Sequence, residues 1–245
     1  MGTSKSFSDT KHSMIPNWRN LSASLTSNCN STTLTNDKLT IIMKNYVFTI
    51  GGASKAGRGS SKIAGKAGIK TAIKLNSFFS NFNDSGNIRD TLSAIGLTDL
   101  DNKSVGDVIN FLIEYCSGTA NTIDENAAKE ASRKLIEELI SNAKDIDEVE
   151  KLLSDQFEIG SSEELIIRYF GHYINEHLSR WFYDHLIKNK NERDCNTLFK
   201  QIKDFIFERI NVMQKTNPLH KIDWSSNEAQ GLIKNIQQDV LTVFE

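Results

Sequence analysis

The chain has 245 residues, a formal net charge of −2, 38% hydrophobic and 24% charged residues. That length supports one sizeable core or two small ones, and the modest apolar content leaves some sequence unpacked. No apolar run reaches the ~18 residues of a membrane span, the start has no apolar signal region, and three scattered cysteines without Cys-x-x-Cys argue against a disulfide framework or Cys-rich zinc site and for a reducing cytoplasm.

Residues 1–36 are rich in Ser, Thr and Asn and read as a flexible or extended tail. Within it, Met14-Ile15-Pro16-Asn17-Trp18 is apolar enough to serve as a docking strap, with Pro16 setting an extended backbone before Trp18. Residues 37–83 form a basic, Gly/Ala-rich helical segment with eight Lys/Arg and no Asp or Glu after Asp37. Its first helix, 37–49, is apolar at Leu39, Ile42, Met43, Tyr46 and Val47; a strand over Ile41–Ile50 is the weaker alternative. After a Gly-rich stretch, a helix is predicted from about Ser60 to Phe82. Residues 84–245 make a helical body, whose first part, 84–170, carries a net charge of −11. Its predicted helices run Asp84–Gly96 with Asp84 as N-cap, Ser104–Cys116, then from a Thr122/Glu125 capping box to about Lys144. Further helices are predicted over 147–156, from Ser161 to about Lys190, over 194–215 and over 226–244. With two prolines and no clear strand, the fold class is all-α, an irregular bundle of about eight helices. The helix bearing Tyr169, Phe170, Tyr173, Trp181, Phe182 and Tyr183 is aromatic on more than one face, so it should be central and Trp181 buried.

The chemistry-bearing motifs are sparse. The Gly-rich stretch fails as a phosphate loop: Ser60 stands where the first glycine is required before Gly65-Lys66, and Ala67 replaces the Mg²⁺-binding hydroxyl. What remains is a basic ladder, Lys55, Arg58, Lys62, Lys66, Lys70 and Lys74, spaced by four from Arg58 onward. It faces the acidic body, an acidic partner or nucleic acid; no aromatic lies among these residues to stack on bases. His172, Glu176, His177, Trp181 and His185 follow helical spacing but lack a further ligand, so they read as polar positions on an aromatic helix, and no metal or cofactor is expected. Cys116 reads as a small core residue. No nucleophile–base set is legible, so an enzyme is not expected. Removal of Met1 would leave the unhindered amine of Gly2, and Met1-Gly2-Thr3-Ser4-Lys5-Ser6 also fits the myristoylation pattern.

Three segments in order resemble the QatB family of the bacterial Qat anti-phage defence system. They are Met1-Gly2-Thr3-Ser4-Lys5-Ser6, Ile15-Pro16-Asn17-Trp18, and the block from Cys116 through Gly118 to Thr122-Ile123-Asp124-Glu125-Asn126-Ala127-Ala128. Phe7-Ser8-Asp9-Thr10 stands in place of that family's usual Gly-Gly-Pro. The resemblance implies a cytoplasmic, non-enzymatic subunit acting with a QueC-like enzyme, a P-loop ATPase and a TatD-like nuclease. QueC-like enzymes activate a carboxylate with ATP and pass it to an amine, which makes Gly2 the expected acceptor. A nucleic-acid adaptor using Lys55–Lys74 is the alternative.

Overall fold

Side-chain caps set where five consecutive helices begin. The computed structural model describes Ile15, residues 17–216 and residues 229–245. Gly2, Met14 and Pro16 lie outside the described residues. Helix α1 spans Trp18–Asn28, α2 Asn36–Thr49, α3 Ala53–Gly57, α4 Lys66–Ser85, α5 Ile88–Ala94 and α6 Val105–Ser117. A 3-10 turn at Leu100–Asn102 precedes α6; then come α7 Ile123–Ile140, α8 Ile146–Ile159, α9 Ser162–Ile187, α10 Glu192–Thr216 and α11 Ala229–Thr242. Ser104 and Thr122 close full capping boxes with Asp107 and Glu125, while Asn87, Asp145 and Ser161 each accept from a backbone N–H three residues on. No strand occurs among the described residues, and no helix there is long and apolar enough to cross a membrane.

The bundle is built around α9, which packs against α4, α7, α10 and α11. Tyr169, Phe170, Tyr173, Leu178 and Phe182 are fully buried along it. Polar residues share that burial: His172 and His177 are both inaccessible.

Four expectations change. Residues 18–28, read as tail from their polar composition, form α1, because Leu21 and Leu25 recur one turn apart and both are buried against the bundle. The helix expected from about Ser60 begins only at Lys66, as α4, since Gly65 sits at φ +96°, outside helical space, and the Gly-rich stretch before it folds its own short helix, α3. Asp84 lies within α4; the chain reverses at Gly86, φ +63°, and Asn87 caps the next helix. Trp181 is half-buried, because it packs at the edge of the core. The extra short helices α1 and α3 bring the described total to eleven, and Ile41–Ile50 is helical throughout.

Candidate functional site

The Gly-rich basic segment is held down by backbone hydrogen bonds to distant side chains. Ala53 N–H donates to Glu245 Oε1 at 2.8 Å, tying the start of α3 to the last described residue. Gly57 abuts α11 so closely that a Cβ there would lie 2.5 Å from Gln238 Cβ. Ser60 and Ser61 N–H both return to the Lys55 carbonyl, at 2.9 and 3.2 Å. At Ile63 the carbonyl meets His177 Nε2 at 3.0 Å. A carbonyl only accepts, so Nε2 carries the proton, and Nδ1 of the neutral ring accepts from Tyr46 O–H at 3.1 Å. Burial pushes the His177 pKa down, which favours that neutral form.

Asp124 completes the clamp. Its carboxylate accepts from Gly65 N–H at 3.2 Å and Ala67 N–H at 2.9 Å, and from Tyr173 O–H. Tyr173 O in turn accepts from Gly65 N–H at 2.6 Å. Helix α4 has no acidic residue in its own first turn and begins at Lys66, so Asp124, from the first turn of α7, supplies the missing negative charge at its positive end. Only glycine fits at 65: the φ is left-handed, and a Cβ would sit 2.1 Å from the Ala56 carbonyl oxygen.

The predicted ladder is divided by this arrangement. Lys55 lies on α3, Arg58 at its C-cap, Lys62 in the turn, and Lys66, Lys70 and Lys74 on α4. The first five are exposed. Lys74 is half-buried and turned inward, donating to the Tyr115 carbonyl at 2.6 Å with its ammonium 5.1 Å from that ring centroid. Among the described residues every ion pair lies between positions 89 and 180, so none involves the ladder. The acidic body satisfies its own cations, Lys129 with Glu114, Lys134 with Glu176 and Arg180 with Glu130.

At the other end of α9, Trp18 stacks on Phe182 at 4.5 Å between centroids and meets Trp181 edge-on at 5.5 Å. The Trp18 backbone N–H donates to the Ile15 carbonyl at 3.3 Å, and Ile15 is half-buried. The root of the tail therefore rests on the body.

The remaining candidates separate. His172 pairs with Glu138 at 3.1 Å, Glu176 with Lys134, His177 with Tyr46 and Ile63, and His185 is exposed. No cluster of three or more His, Cys, Asp or Glu among the described residues could hold a metal. Burial pushes the Cys116 thiol up to about 12. Cys29 and Cys195, 166 residues apart, bring their sulfurs to 3.4 Å as free thiols. Sequence reasoning missed Asp124, Tyr173, His177 and Tyr46 as a unit; its one signal was Asp124 in the first turn of a strongly capped helix.

The fold and site thus define an all-α protein that carries an exposed cationic segment on a buried polar clamp. A family model described as Qat anti-phage system associated protein QatB matches residues 51–244. The chain belongs to the QatB family and so has a role in the Qat anti-phage system, whose several components imply protein partners. No curated protein and no solved structure matches it.

Proposed function

We propose that this chain is a non-enzymatic, cytoplasmic scaffold of the Qat system and the protein acceptor of a modification made by a QueC-like partner. A P-loop ATPase and a TatD-like nuclease complete the assembly. The observation that carries the reading is the Trp18 anchor on Phe182 and Trp181, which holds the root of the tail while Gly2 lies upstream. Twelve residues separate Gly2 from Ile15, about 40 Å of extended chain, enough to enter a neighbour's active site. There the Gly2 amine would attack an adenylated carboxylate; an amide bond forms, AMP leaves and the amine gives up a proton. Lys55, Arg58, Lys62, Lys66 and Lys70 form the charged part of a partner-facing surface, and the chain itself needs no cofactor.

The test is the intact mass of the chain co-expressed with its QueC-like partner. A mass above that of the Met-less chain, located at Gly2 by peptide mapping, supports the reading. Gly2→Glu should melt as wild type does, carry no added mass and abolish defence. Recovery of the Met-less mass alone, or full defence by Gly2→Glu, overturns it.

A further inference from the structure

Helix α2 has two faces of different fate. Leu39, Ile42, Met43, Tyr46 and Val47 are buried against the bundle. The opposite stripe runs Lys38, Ile41, Lys44 and Phe48, spaced three or four residues apart. Ile41 is 55% exposed and Phe48 40%, two of the four large apolar side chains that the described residues expose. They stand about 10 Å apart along the helix axis. Lys44 lies between them, with its ammonium 5.5 Å from the Phe48 ring centroid. The stripe continues beyond the helix: Gly51 N–H bonds to the Phe48 carbonyl, and a Cβ on Gly51 would touch the Lys55 stem at 3.7 Å. Lys55 therefore sits beside the Phe48 end of α2.

We infer that this face, Ile41 and Phe48 rimmed by Lys38, Lys44 and Lys55, docks an acidic segment of a partner protein that carries apolar side chains among its carboxylates. The inference rests on the scaffold reading, though not on modification of Gly2. Charge chooses the occupant. From residue 38 to residue 83 there is no carboxylate, and none of these three lysines forms an ion pair among the described residues. The chain's own first fourteen residues carry Lys5 and Lys11 against Asp9, the same sign as the surface, so they are poor candidates to cover it. An apolar centre inside a charged rim is the anatomy of a protein interface. A phosphate backbone would engage the lysines and gain little from Ile41.

The experiment places a photoreactive benzoylphenylalanine at position 48 of the full chain, in cells carrying the whole Qat operon. The crosslinked peptide is then identified by mass spectrometry. The expected product is a segment of another Qat component rich in Asp or Glu with interspersed apolar residues. Ile41→Ser with Phe48→Ser should weaken binding of that component about tenfold or more while cooperative melting and the helical circular-dichroism signal are retained, since Ile41 is mostly exposed and Phe48 is only partly covered. Lys44→Glu with Lys55→Glu should lower the association rate and flatten its salt dependence. A crosslink to this chain's own residues, to a second copy or to nucleic acid overturns the inference, as does no crosslink from a wild-type complex that assembles. If the chain binds no Qat component at all, the scaffold reading falls and takes this inference with it.

Discussion

Asp124 is the point where the clamp can be broken with one substitution. Asp124→Ala removes the acceptor of two backbone N–H groups, Gly65 and Ala67, and of the Tyr173 hydroxyl. Gly65 N–H keeps its bond to Tyr173 O at 2.6 Å, so the Ala67 N–H and the Tyr173 O–H are the groups left without a partner. A hydrogen bond to a charged acceptor contributes about 1.5–3 kcal/mol, and loss of a helix N-terminal acceptor about 1 kcal/mol. Asp124 is half-buried, so water recovers part of this. We expect a loss of about 2–4 kcal/mol, which for a chain of this size lowers the melting temperature by about 4–16 °C. Asp124→Asn should fall between the two, because its amide turns a donor toward a donor at one of the two sites. Thermal and urea denaturation measure the effect, and amide exchange locates it: Ala67 should lose protection before the core of α9 does. Tyr173→Phe combined with Asp124→Ala should be clearly non-additive, since the two side chains share one network. Melting of Asp124→Ala within a degree of wild type, with Ala67 still protected, would refute the clamp.

Gly65→Ala forces a left-handed residue and a Cβ onto the Ala56 carbonyl, a backbone atom that cannot swing away, so soluble expression should collapse or the melting temperature fall by about 10 °C or more. Trp18→Ala removes the stack on Phe182 and should cost about 2 kcal/mol, read as a lower melting temperature with the helical circular-dichroism signal retained. Glu163 is buried with Oε1 lacking a partner, and burial, then the adjacent Glu164, pushes its carboxyl from 4.5 up to about 7. The folded state therefore holds this proton more tightly than the unfolded chain; the stability it contributes is full below 4.5 and lost as pH rises through about 7. Glu163→Gln should match wild type at pH 4.5 and melt above it at about pH 8; equal melting at both values would refute this account.

The helical class was legible because helix signals are local. Apolar residues recurring every three or four positions, the Thr122/Glu125 capping box and the stop at Gly118 all act within a turn of chain. The family resemblance was legible for a similar reason, since it rests on short motifs in a fixed order. Composition misled where two well-placed leucines outweighed a polar background, at α1, and where the predicted helix was carried back across Gly65 to Ser60. The sequence also left open what the basic ladder faces, because that depends on where distant carboxylates go. Packing narrows it: the acidic body pairs with its own cations, Asp124 accepts from backbone N–H groups, Lys74 turns inward, and the remaining five are exposed and form no ion pair among the described residues. The meeting of Cys29 with Cys195 and the seating of Trp18 on Phe182 are likewise tertiary facts. They join residues more than 160 positions apart, and no periodicity or spacing rule reaches across that distance.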